Sequence, residues 1–215
     1  RSYQLSGGGT DWRGWSVRWD EVPYPSTVIP GREVCRSHLL GGPYVFGTPT
    51  SLLYRSDLIR EQDRFFPNST PEADTSACYQ CLQETDFGFV HQVLSYERDE
   101  HLRATTRSRS LNAYIPSQLS DLLEYGGKFL STDERDRRRD ELMHLYYKFL
   151  ASAALNFRDR QFWTYHKERL KTLGYPLSAT RLSKAISVKL LDLLLNPKHT
   201  VESLVRRRQR RPLAT

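Results

Sequence analysis

Hydrophobic and polar positions follow two rhythms along this chain, and the rhythm changes near residue 110. Before that point apolar residues come in short runs broken by Gly and Pro. Trp15 to Trp19 reads Trp-Ser-Val-Arg-Trp, an alternation that predicts a strand. Pro23, Pro25, Pro30 and Gly31 then argue against regular structure. Arg32 to Leu40 predicts a short helix stopped by Gly41-Gly42-Pro43, and Ser51 to Arg55 a strand. Ser56-Asp57 caps a short helical turn that ends at Phe65-Phe66-Pro67. Ser69-x-x-Glu72, with Pro71 between, has the form of a capping box. The helix it opens runs to about Leu82, with Ala73, Ala77, Cys78 and Cys81 on one side. Phe87 to Tyr96 (FGFVHQVLSY) is the strongest strand pattern in the chain.

From about Leu111 the period becomes helical. Ser131-x-x-Glu134 is a second capping box, followed by Leu142, Leu145, Tyr146, Phe149, Leu150 and Ala153 at helical spacing. Phe162, Trp163, His166, Leu170 and Leu173 make another stripe, ended by Gly174. Ser178 caps a third helix carrying Leu182, Ala185, Ile186, Leu190, Leu193 and Leu194, which Asn196-Pro197 closes. A last short helix is expected to run into Arg206-Arg207-Arg208-Gln209-Arg210-Arg211. The pattern therefore predicts a mixed α/β segment over 1–110 and a helical extension over 111–215.

Charge sharpens this division. The 215 residues carry a net +7. Residues 1–110 hold twelve Arg, no Lys and fourteen acids, a balance of −2, so residues 111–215 carry +9. A basic helical region can meet an anionic membrane, nucleic acid or a partner protein. No apolar run reaches the ~18 residues of a spanning helix. The first thirty residues lack the apolar core of a signal peptide. Met143 is the single methionine and the chain opens at Arg1, so a fragment or processed form is expected. Cys78-x-x-Cys81 has a redox or zinc spacing, but three cysteines inside a helical pattern read as core residues. Asn68-Ser69-Thr70 matches a glycosylation sequon, to which little weight attaches without a sign of secretion.

The segment Gly41 to Arg98 carries the candidate chemistry. It reads as a Gly-rich turn, then Gly47-Thr48-Pro49-Thr50-Ser51-Leu52-Leu53-Tyr54-Arg55, then Phe65-Phe66-Pro67. The helix start Glu72-Ala73-Asp74 follows, and then the strand with His91-Gln92 that leads to Arg98. A carboxylate at a helix start is kept ionised by backbone N–H groups and the helix dipole. Asp74 is thus either a poised base or simply a first-turn carboxylate, and Glu72 is the capping partner of Ser69. Thr48 and Thr50 offer hydroxyls to an acceptor, or make a polar turn. His91 and Gln92 face opposite sides of the predicted strand. Arg98 has a fork suited to diphosphate oxygens, and His101 is a possible metal ligand. Asp99 and Glu100 equally allow a charged surface turn there.

In order and spacing these motifs resemble the bacterial-type family 2 glycosyltransferases of the GT-A fold, over roughly residues 25–110. The resemblance implies an α/β, Rossmann-like architecture of which this chain is the C-terminal portion, followed by the all-helical extension. It implies an inverting transfer of a sugar from a nucleotide-sugar donor to a glycan or lipid-linked acceptor. Asp74 would be the catalytic base, with Thr48, Thr50, Gln92 and Arg98 toward substrate and His101 toward Mg²⁺ or Mn²⁺. Two departures stand out: Ala73 replaces the usual Glu before the Asp, and no Asp-x-Asp occurs in the chain. The donor half would lie before residue 1, leaving this chain inactive alone. The expected setting is the cytoplasm; the Leu190–Leu195 face next to the arginines of 206–211 favours peripheral contact with the inner face of an anionic membrane over specific nucleic acid. A non-catalytic binding module with a basic helical tail is the competing reading.

Overall fold

The computed structural model describes residues 2–5, 12–15, 26–47, 49–61, 63, 65–66, 73–92, 94–98 and 111–195. Every strand among them lies before residue 99, and only helices follow Leu111. The α/β character of the first part and the helical character of the second are both present. The chain divides into two compact units, Arg1–Glu141 and Leu142–Thr215. The division falls at 141/142, inside a helix, whereas the change from mixed to helical structure falls near 110.

The first unit holds two small sheets. β1 (Ser2–Leu5) pairs antiparallel with β2 (Trp12–Trp15) and parallel with β5 (Ser95–Arg98). β3 (Ser26–Ile29) pairs antiparallel with β4 (Phe87–Val90), with Thr27 opposite Phe89 and Ile29 opposite Phe87. The single strand expected over Phe87–Tyr96 is thus two strands in two sheets, separated by a bend at His91–Gln92. β3 occupies the proline-flanked stretch read as irregular. Its two prolines lie just outside it, Pro25 before and Pro30 after, where a missing N–H breaks no ladder bond. Trp12–Trp15 is a strand, while residues 16–19 of the expected alternation lie outside the described residues.

α1 (Gly31–Leu39) buries Val34, Cys35, His38 and Leu39 at helical spacing. Its first residue must be glycine. A Cβ on Gly31 would stand 2.0 Å from the Thr85 carbonyl oxygen and 2.6 Å from that of Leu82. The helix ends as read, at Gly41, whose φ of +94° suits glycine. A 3₁₀ turn spans Pro49–Ser51, and α2 (Ser56–Arg60) follows. Ser51–Arg55, expected as a strand, is not one: Ser51 closes the 3₁₀ turn, and Leu52–Arg55 has no regular structure and no ladder partner among the described residues. α3 (Ala73–Cys81) is buried from Thr75 to Tyr79; the capping box proposed for its start lies outside the described residues.

α4 (Tyr114–Phe129) is a helix that the sequence reading passed over, its Pro116 sitting in the first turn where proline is tolerated. It packs on α1 and α3. Tyr125 stacks on Tyr79 at 4.7 Å between centroids, and the Arg32 guanidinium lies 5.6 Å from the Phe129 ring centre. Arg32 also donates to the Lys128 carbonyl at 2.7 Å.

α5 (Thr132–Leu155) begins with the predicted capping box. The Ser131 N–H donates to the Glu134 carboxylate at 3.0 Å, and the Glu134 N–H donates to Ser131 Oγ at 3.3 Å. Its first turns serve the first unit: Arg138 Nε donates to the Leu39 carbonyl at 3.1 Å, and Glu134 pairs with Arg36. In the second unit Leu142, Tyr146, Leu150 and Ala153 are buried as the stripe predicts, while Leu145 faces solvent. α6 (Arg160–Thr172) is capped by Asp159, which accepts from the Phe162 N–H at 2.8 Å. Phe162, His166 and Leu170 are its buried face, and His166 Nδ1 lies 2.6 Å from the Tyr146 hydroxyl. α7 (Ala179–Leu195) starts after Ser178, whose hydroxyl accepts from the Arg181 N–H at 3.3 Å. Among the described residues no helix is long and apolar enough to cross a membrane.

Candidate functional site

Asp74 stands in the first turn of α3, half-exposed, at the edge of a helix that is buried from the next residue on. Its Oδ1 accepts from the Thr75 N–H at 2.9 Å. Thr75 is buried and turns its hydroxyl to Tyr44, 3.0 Å away. Tyr44 donates its proton to the Gly47 carbonyl at 3.0 Å. The Thr75 hydroxyl is therefore the donor of the pair, since Tyr44 has one proton to give. Gly47 has φ of +69° and turns the chain toward Pro49. The carboxylate and the Gly47 turn are thereby tied through two hydroxyls.

Behind Tyr44 lies an aromatic cluster. His38 Nδ1 lies 2.6 Å from the Tyr79 hydroxyl, and its ring packs against Tyr44 and Phe46 at 5.2 and 5.3 Å between centroids. Burial, and then the Arg138 guanidinium, lower the His38 pKa from 6.5 to about 4. His38 is therefore neutral near pH 7. Burial raises the Tyr44 and Tyr79 hydroxyls above their ordinary range, and the Asp74 charge adds to the effect at Tyr44. These tyrosines act as neutral hydrogen-bonding groups.

The other sequence-predicted residues fall on other elements. Thr50 is exposed in the 3₁₀ turn, and Thr48 lies outside the described residues. β5, whose last residue is Arg98, passes within 8 Å of that turn, Cα to Cα, so the fold brings the Thr50 turn and the Arg98 strand together. Gln92 is exposed on the bend after β4, not inside a strand. His91 beside it is buried, its ring 4.8 Å from that of Phe89, which makes it a packed residue. His101 and Glu72 lie outside the described residues.

A cavity of about 630 Å³ opens next to α3. Leu52, Tyr54, Leu58, Cys78, Leu82 and Phe89 supply much of its apolar wall, with Arg55, Glu84 and Asp86 as its charged groups. Asp74, Thr50 and Gln92 are not part of its lining. The Tyr54 hydroxyl lies 3.1 Å from Cys78 Sγ. Neither the cavity nor the roles of Tyr44 and Tyr54 came from the sequence. The available signal was two tyrosines flanking the Gly47–Ser51 turn, which local pattern alone does not separate from packing residues.

Cys35, Cys78 and Cys81 are all buried and free. Burial pushes the thiols of Cys35 and Cys78 up to about 12, far from the thiolate that nucleophilic or metal chemistry needs. Among the described residues no group of three or more His, Cys, Asp or Glu side chains could hold a metal ion. Neither a known protein family, nor a curated protein, nor a solved structure matches the chain.

Proposed function

We propose that this chain is the acceptor-side and C-terminal portion of an inverting GT-A glycosyltransferase resembling family 2, with Asp74 as the base. The observation that carries this reading is the placement of Asp74. Its carboxylate is half-exposed in the first turn of a buried helix, held by a backbone N–H and tied through Thr75 and Tyr44 to the Gly47 turn. A base that must accept a proton from an acceptor hydroxyl needs both access and a fixed position. As the acceptor oxygen attacks the anomeric carbon, Asp74 takes its proton, and the bond to the nucleoside diphosphate breaks on the opposite side. The Thr50 turn and the Arg98 strand, which run close together, flank the acceptor and the diphosphate respectively.

On this reading the donor side, with an Asp-x-Asp and any Mg²⁺ or Mn²⁺ site, belongs to a part of the enzyme other than these 215 residues, which contain no Asp-x-Asp. The expected setting is the cytoplasmic side of a membrane, with a glycan or lipid-linked acceptor. The test is to incubate the isolated chain with a panel of sugar nucleotides and Mn²⁺, and to repeat it with the polypeptide extended by its upstream coding sequence. Donor binding by the extended form alone supports the reading. Tight donor binding or hydrolysis by the isolated chain contradicts it.

A further inference from the structure

α7 has no buried residue, although half of its side chains are aliphatic. Leu182, Ala185, Ile186 and Leu193 are half-buried and form its inner face. The C-terminal half leaves the rest open. Val188 is 59% exposed, Leu190 43%, Leu191 56%, Leu194 76% and Leu195 77%. At 3.6 residues per turn these five side chains cover an arc of about 160° over two turns. Contiguous exposed aliphatic surface of this kind marks an interaction site.

We infer that the C-terminal turns of α7 dock on an anionic lipid surface. The choice of partner rests on charge. From Ala179 to Thr215 the sequence carries nine Lys and Arg against two acids. Arg181 and Lys184 are exposed on α7 itself, one to two turns before the aliphatic arc. One of the two acids, Asp192, is paired with Lys189 at 3.6 Å. A second copy of the chain would cover the leucines but would set two strongly cationic regions against each other. A nucleic acid would answer the charge but leave the leucines in water. A lipid surface with anionic headgroups answers both, acyl chains taking the aliphatic arc and headgroups the cations. α7 would lie on the membrane and not cross it, since it fails the requirements of a spanning helix. This docking holds whether or not the chain takes part in sugar transfer.

The test is flotation of the full chain with vesicles of phosphatidylcholine alone, and of phosphatidylcholine with about one-third phosphatidylserine. Binding is expected on the anionic vesicles only, and to weaken at least about tenfold at high salt as screening shortens the reach of each charge. The double variant Leu194→Glu, Leu195→Glu changes two side chains more than three-quarters exposed, so the fold should tolerate it, and it should lower binding at least about tenfold. A second variant, with Arg206, Arg207, Arg208, Arg210 and Arg211 all changed to Gln, leaves the helix intact and should also lose the preference for anionic vesicles. Equal binding to both vesicle types would overturn the inference. So would absence of vesicle binding combined with a concentration-dependent dimer that the Leu variant abolishes, which would assign the surface to a second copy.

Discussion

Acidification should unfold the first unit, and His38 should account for a definable part of the loss. The imidazole is buried against Tyr79, Tyr44 and Phe46 with the Arg138 guanidinium nearby, so its neutral form is favoured. In the unfolded chain it titrates near 6.5; in the fold it titrates at about 4. Between those values the unfolded chain binds a proton that the folded chain does not. The contribution is therefore fully present above pH 6.5 and is lost as pH falls toward 4. For one such group the loss between about pH 7.5 and pH 4.5 is about 2.5 kcal/mol. His38→Gln keeps a polar atom near the Tyr79 hydroxyl and removes the titration. All other titrating groups are common to both proteins, so the difference between their acid losses isolates His38. The assay is urea unfolding at the two pH values, read by hydrogen exchange of the α1 and α3 amides, which reports on the first unit. A His38→Gln protein that loses as much stability on acidification as the parent does would refute this role for His38.

Gly31→Ala should cost at least about 2 kcal/mol, since the new Cβ meets two backbone carbonyls that have no rotamer to yield; thermal unfolding checks it. Tyr44→Phe leaves the Thr75 hydroxyl and the Gly47 carbonyl without this partner and should cost about 1–3 kcal/mol. In an extended, active polypeptide it should also lower turnover more than it changes donor affinity. Ser131→Ala removes the hydroxyl side of the capping box and should cost about 1 kcal/mol, read as earlier exchange of the first α5 amides.

The helices were legible where two signals agreed. α5 and α7 each combine an apolar stripe with a capping residue, and α6 an apolar stripe with the stop at Gly174; Ser131, Asp159 and Ser178 all make cap bonds. Ser131 and Ser178 were read as caps from sequence; Asp159 was not. α4 was missed although its buried Leu119, Leu122 and Phe129 are helically spaced, because Pro116 and the pair Gly126-Gly127 interrupt the pattern. Strand limits were less legible for a physical reason. A run such as FGFVHQVLSY states that a segment prefers extended backbone, but not which partner each part finds, and here the two halves join different sheets. At the site, Asp74 was visible as a carboxylate near a helix start, and the helix does begin at Ala73. The link from Thr75 through Tyr44 to Gly47 spans about thirty residues of sequence, so no local pattern encodes it. The same holds for the contact of Tyr54 with Cys78.

The central claim, that Asp74 is the base of a glycosyl transfer, is tested most directly in the polypeptide extended upstream of Arg1. Turnover of a sugar nucleotide with its acceptor is compared between the parent and Asp74→Asn. Asn keeps the shape and can still accept the Thr75 N–H, but it has no proton-accepting carboxylate. Turnover should fall by ~10²-fold or more, the scale of a general base, while donor affinity and unfolding midpoint change little. An Asp74→Asn protein that turns over within a few-fold of its parent would contradict the assignment.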